Sequence, residues 1–201
     1  MEALGLPDAI YAEVDVTDRE ALTGAISEAV DRFGPPDLLV KNAGIMPLGN
    51  IRDQDSAEWQ QVFDVNCVAL LNVTQEVLPL MLEAGRGTIV NVGSVAGRNL
   101  YPNHLAYCGT KFAVHAMSEQ LRKDLAPTNI RVAVIAPGMV ETELLEGTSS
   151  EAIKSEYSSY KEQIGGALDV GQVAKSISVN YRMPQEVCVR EIVLAPTRQD
   201  A

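Results

Sequence analysis

The feature that most limits what this chain can fold into is a rhythm of short Val- and Ile-rich runs alternating with helix-period segments. Residues 9–15 read as a strand, and Thr17-Asp18-Arg19-Glu20 then opens a helix to about residue 33 with a capping-box pattern. Gly34-Pro35-Pro36 closes that helix, and residues 37–41 form the next strand, ending in Asn42-Ala43-Gly44. Ser56 caps a long helix through about residue 83, apolar on more than one side. Residues 88–92 are a third strand running into Gly93-Ser94, and residues 130–135 a fourth ending at Pro137-Gly138; a helix with Tyr107 and Lys111 lies between them. Residues 141–168 are polar and glycine-containing, which predicts a mobile segment with a short helix. A last helix begins at Asp169, and residues 187–194 are a last strand. Strands separated by helices imply an α/β fold with a mostly parallel sheet flanked by helices on both faces. Ligands of such sheets sit at the carboxyl ends of the strands, where Asp15, Asn42, Ser94 and Pro137-Gly138 would converge.

One pair on the helix preceding the 130–135 strand carries chemistry. Tyr107 and Lys111 are four residues apart, so a helix points both the same way. A phenol ionises near ~10 unless a cation favours its anion, and Lys111 is placed to be that cation. The pair suits proton transfer to a carbonyl. The same spacing also arises on ordinary amphipathic helices. Asn66 requires a specific partner, because an amide in so apolar a helix is not left unpaired. His104 and His115 have no partner pattern and read as ordinary loop and helix residues, and the methionines as core filler.

Composition narrows the remaining classes. With 201 residues and 46% hydrophobic content, residues 1–201 are most economically one domain. A net charge of -11 without a basic run argues against nucleic acid and anionic membrane partners. Cys67, Cys108 and Cys188 are far apart and form no metal-ligand spacing, as expected of thiols in a reducing cytoplasm. The amino terminus lacks the basic and apolar regions of a signal peptide, and no apolar run is expected to reach membrane-spanning length.

Asp15-Val16-Thr17-Asp18, Asn42-Ala43-Gly44-Ile45, Asn66, Ser94, Tyr107-Cys108-Gly109-Thr110-Lys111 and Pro137-Gly138-Met139-Val140-Glu141-Thr142 stand in the order of the short-chain dehydrogenase/reductase family. The chain resembles that family over nearly its whole length. The gap from Ser94 to Tyr107 resembles the carbonyl-reductase branch rather than the sugar-nucleotide epimerases. Asn42 to Gly49 and Glu191 to Gln199 look most similar to NADP-linked enzymes of hydroxy acids and aldehydes, including serine dehydrogenases and the clavulanate-forming reductase. The resemblance implies a Rossmann-like fold and hydride transfer between NADP(H), with NAD as the alternative, and a small alcohol, aldehyde or ketone. It makes Tyr107 the general acid and base, Ser94 the holder of the substrate oxygen, Lys111 the ribose-binding tuner of Tyr107, and Asn66 the positioner of a relay water. Asp15 and Val16 would meet the adenine and Asn42, Ala43 and Gly44 the adenosine ribose. Pro137, Gly138, Val140 and Thr142 would cradle the nicotinamide. It also implies a homo-dimer or homo-tetramer formed through helices 56–83 and 106–125.

Departures accompany the resemblance. The family's opening strand, glycine-rich turn, helix and second strand do not appear, so the fold is expected to be N-terminally truncated, with weakened nucleotide affinity. The 37–41 strand is then expected to be an open edge, or to pair with residues 9–15 or another subunit. Lys41 stands where the family commonly has Asn, Cys108 where it has Ser or Ala, and Gly93 where Ser is frequent. The competing expectation is a non-catalytic relative acting through association alone.

Overall fold

The computed structural model describes residues 8–200. Their centre is a four-stranded, fully parallel sheet in the order β1 (Leu38–Lys41), β2 (Gly87–Val92), β3 (Ile130–Pro137) and β4 (Glu191–Leu194). Register pairs Lys41 with Asn91, Val92 with Ile135 and Pro137 with Leu194, so the loops after β1, β2 and β3 leave from one end. Six α-helices surround this sheet: α1 (Arg19–Phe33), α2 (Ser56–Phe63), α3 (Ala69–Glu83), α4 (Leu105–Asp124), α5 (Glu151–Gln163) and α6 (Val170–Tyr181).

Side chains alternate across the strands, which assigns each helix a face. Leu39, Ile89 and Val132 point to one face and pack with Ile26 of α1, Val77 and Met81 of α3, and Leu121 of α4. Their close packing leaves no space at Gly87, where a Cβ would lie 2.5 Å from the Met81 sulfur. Thr88 and Arg131 point to the other face. There Arg131, 6% exposed, donates to Thr88 Oγ1 at 3.0 and 2.8 Å and to the carbonyls of Tyr181 (2.9 Å), Met183 (2.9 Å), Pro184 (3.2 Å) and Val187 (3.3 Å). The guanidinium thereby caps the end of α6, whose last carbonyls have no partner within the helix.

Three expectations are corrected. Residues 9–15 form no strand: Tyr11 is 70% exposed, and the segment has no sheet edge beside it, without which an alternating pattern does not stay extended in a ladder. Asp15 therefore ends no strand, and β1 does not pair with this segment. The last strand begins at Glu191 rather than residue 187, because Val187 turns back onto the Pro184 carbonyl and gives its own carbonyl to Arg131. The helix at residue 17 starts one residue later, with Asp18 as cap accepting from the Ala21 N–H at 3.1 Å while Thr17 bonds Asp15. By contrast, α5 supplies the short helix expected within 141–168, and Asp169 caps α6 in a capping box with Gln172.

The long helix of residues 56–83 is continuous but not uniform, since Asp64–Val68 makes one π-helical turn between α2 and α3. Ser56–Glu83 is long and apolar enough to cross a membrane by length and composition alone, contrary to the sequence expectation. Here Val62, Asn66, Cys67, Thr74, Val77 and Met81 face the protein interior, the pattern of a core helix. Lys41 is an oddity of the same region. It is 8% exposed and its Nζ donates to Leu70 O at 3.3 Å and to Thr74 Oγ1, with no carboxylate among these partners.

Candidate active site

Parallel strands deliver three turns to one place. The turns after β1, β2 and β3 contribute Asn42-Ala43-Gly44, Gly93-Ser94 and Pro137-Gly138 to a cavity of about 1050 Å³. Tyr107 and Lys111 reach it from the first turns of α4, and Val140 and Thr142 from the segment after β3. Ten of the residues expected at the site therefore line a single cavity: Asn42, Ala43, Gly44, Ser94, Tyr107, Lys111, Pro137, Gly138, Val140 and Thr142. Asp15 and Val16 do not. The Asp15 carboxylate instead accepts from the Thr17 N–H at 2.9 Å and its hydroxyl at 2.8 Å, a local turn that holds its pKa low.

Asn66 stands one layer behind the cavity. Its Oδ1 accepts from the Ile45 N–H at 2.9 Å, and its Nδ2 donates to the Ile45 carbonyl (3.0 Å) and to Thr110 Oγ1 (3.1 Å). The amide thus ties the Asn42-Ala43-Gly44 turn to the helix that carries Tyr107. A π-turn re-aims side chains without ending a helix, and here it turns Asn66 inward. Gly44 is small for the same reason, since a Cβ would come within 3.2 Å of Asn66 Oδ1.

Lys111 is fixed more tightly than its long side chain requires. It is 7% exposed, its Nζ donates to the Val92 carbonyl at 2.9 Å, and it lies 5.6 Å from the Tyr107 ring centroid. Burial lowers its pKa to about 8. Tyr107 goes the other way: burial raises its pKa well above the ordinary tyrosine value, against a smaller lowering by a hydrogen bond with Ser94. The expected depression of Tyr107 by Lys111 is not what this geometry gives. The phenol therefore rests protonated, and release of its proton calls for a cation close by to offset the phenolate.

Several residues at the site escaped the sequence reading. The rings of Tyr101, Tyr107 and Tyr157 lie 5.7, 6.2 and 6.4 Å from that of His104, which is therefore no ordinary loop residue. Its position three before Tyr107 at a helix start is the signal that could have found it. Tyr157 and Tyr160, three apart on α5, face the cavity together. Gln199 Oε1 accepts from the Met139 N–H at 2.8 Å and fixes the turn after Pro137. His115 fills the space behind Ser94, where a Cβ on Gly93 would come within 2.5 Å of its ring. That contact explains Gly93, and Glu191 stands 3.3 Å from His115 Nδ1 while pairing with Arg98 at 3.0 Å.

The family profile described as short chain dehydrogenase matches residues 2–152. The chain belongs to the short-chain dehydrogenase family. An uncharacterized oxidoreductase of Staphylococcus saprophyticus is 34% identical over 189 residues, 93% of this chain and 76% of that protein. Glycine betaine reductase of Emericella nidulans is 36% identical over 189 residues, which are 93% of this chain and 15% of that much longer protein. Among solved structures, a closed form of serine dehydrogenase complexed with NADP+ superposes with a TM-score of 0.85 at 28% identity, covering 94% of this chain and 77% of the other. The Rossmann-like architecture of this short-chain dehydrogenase is thus shared with solved relatives.

A nicotinamide and its ribose fit the residues present. The cavity is at the upper end of ordinary ligand-site volumes, and Lys111 gives one bond to Val92, leaving N–H donors for ribose hydroxyls. Gly138 lets the turn after β3 pass close to its support, since a Cβ there would lie 2.8 Å from that of Ala195.

Proposed function

We propose that this short-chain dehydrogenase is an oxidoreductase that interconverts a small alcohol and its aldehyde or ketone with NADP(H), Tyr107 being the general acid and base. The observation that carries this reading is the meeting of Ser94, Tyr107 and Lys111 at one wall of the cavity, with Lys111 anchored to Val92. NADP(H), when bound, supplies the hydride to the carbonyl carbon or accepts it from the alcohol. Everything else falls to the protein. In reduction Tyr107 transfers its phenolic proton to the carbonyl oxygen as the C=O π bond breaks. Ser94 holds that oxygen, and its hydroxyl can donate or accept as the charge moves. Lys111 binds the ribose hydroxyls and, as a cation, offsets the phenolate left on Tyr107 until solvent reprotonates it. Asn66 acts through Ile45 and Thr110 as a positioning residue. Asn42, Ala43 and Gly44 pass the adenosine ribose, and Pro137, Gly138, Val140 and Thr142 receive the nicotinamide. Asp15 and Val16 lie outside the cavity. The α5 segment covers the substrate and excludes water.

The test combines binding with turnover. Titration should show saturable NADPH binding tighter than NADH, and Tyr107→Phe should keep that binding while losing on the order of 10² or more in kcat. Absence of binding to the folded chain would leave the competing, non-catalytic reading standing. Association with further copies belongs to the same proposal, because Phe63, Val68, Leu71, Leu82, Leu105 and Phe112 leave an apolar surface on α2, α3, α4 and the π-turn. Three free cysteines agree with a cytoplasmic setting.

A further inference from the structure

The substrate end of the cavity is aromatic, and the charges that reach it are mostly negative. Tyr101, His104, Tyr157 and Tyr160 line the cavity alongside Tyr107, with Glu156 and Asp200 at its exposed rim. His104 supplies no positive charge. Its Nδ1 lies 2.6 Å from the Pro102 carbonyl, which can only accept, so that nitrogen carries the proton and Nε2 is left with a lone pair. Burial disfavours the imidazolium and outweighs the Pro102 bond, which favours it. Among the described residues, the one lysine or arginine lining the cavity is Lys111, whose charge is directed to Val92 and to the wall beneath Tyr107.

Among the described residues that line this end, an anionic substrate would meet two carboxylates and no guanidinium or ammonium. A primary ammonium is best held by a carboxylate within hydrogen-bond reach, whereas here both carboxylates stand at the rim and only the neutral His104 Nε2 and tyrosine oxygens lie further in. An alkylated ammonium needs neither: ring faces attract it directly, and rim carboxylates favour its approach. We propose that the substrate of this chain is a small alcohol or aldehyde bearing a quaternary ammonium group, seated among Tyr101, His104, Tyr157 and Tyr160. This rests on the oxidoreductase reading for its carbonyl chemistry, whereas the cation preference is a property of the cavity alone.

Choline and its uncharged isostere 3,3-dimethylbutan-1-ol separate charge from shape. Calorimetry with and without NADP+ should show choline binding about tenfold tighter, the size of a partly desolvated cation–π contact. Tyr157→Leu should bring that ratio near one while the isostere's own affinity changes less than about threefold. Glu156→Gln, at an exposed position that does not hold the fold, should lower the ratio about twofold and guards against misfolding of the tyrosine variant. Equal or weaker binding of choline, or a ratio untouched by Tyr157→Leu in a folded protein, overturns the proposal. Turnover distinguishes the two layers: reduction of betaine aldehyde, 3,3-dimethylbutanal and succinic semialdehyde with equal efficiency sinks the cation preference and keeps the oxidoreductase. A retained choline preference with no hydride transfer to any of the three sinks the oxidoreductase and keeps the cation site.

Discussion

Two lysines show how burial turns one residue type to different ends. Lys111 keeps N–H donors toward the cavity and has its pKa lowered to about 8, so its cation predominates at pH 7 and is lost as pH rises past 8. Carbonyl reduction at saturating cofactor should therefore fall off above about pH 8, a limb that a pH profile of kcat would place; an unbroken plateau to pH 9.5 would show that the Lys111 charge is not used. Lys41 carries the opposite message. Burial alone brings its pKa from 10.5 to about 7, and it faces Thr74 and Leu70 rather than the cavity. Between about pH 7 and 10.5 the unfolded chain keeps a proton the folded chain has released, so this group makes stability rise with pH across that window, and its cost is greatest below 7. Lys41→Met should remove that share of the slope and stabilise the protein at pH 6 by about 1–3 kcal/mol in denaturant titrations. Thr74 Oγ1 stays satisfied in that variant by its own bond to the Leu70 carbonyl at 2.6 Å.

At the scale of elements, one side chain gathers the end of α6 and the segment after it onto the sheet. Arg131 gathers the carbonyls of Tyr181, Met183, Pro184 and Val187 and returns the charge to Thr88. Replacing it with Met leaves those carbonyls and the Thr88 hydroxyl without their donor, at a cost of about 2–4 kcal/mol in global unfolding. Hydrogen exchange should show the loss concentrated in α6 and residues 182–190; uniform loosening would contradict this account. The tie was hidden in the sequence, where Arg131 looks like one polar residue in an otherwise apolar strand. Helix α5 was legible as a short helix, because Ser150 caps it and glycines follow it. Its pairing of Tyr157 with His104 was not, since those residues are far apart along the chain and meet only across the cavity.

The whole molecule presents Phe63, Val68, Leu71, Leu82, Leu105 and Phe112 on helices that cover one face of the sheet. Pairing of these surfaces between two copies predicts a dimer or larger assembly in sedimentation, and Leu71→Glu with Phe112→Glu should shift it toward monomer without lowering helix content. A monomeric wild-type protein at tens of micromolar would refute the association.

What the sequence determined by itself was the order of most elements and the candidates for the reacting groups. Strand and helix periods are local, and Ser94, Tyr107 and Lys111 are distinctive in type and spacing. Residues 9–15 were misread for the complementary reason: a strand exists only against a neighbouring strand, which a local pattern does not contain. Tertiary structure alone decided that Asn66 clamps Ile45 to Thr110, that Asp15 stays outside the cavity, and that His104 joins the rings around it. Only the fold fixed the ionisation of Tyr107 and Lys111. A pKa responds to solvent excluded by residues from every part of the chain, and here that burial outweighs the four-residue spacing that first drew the two together.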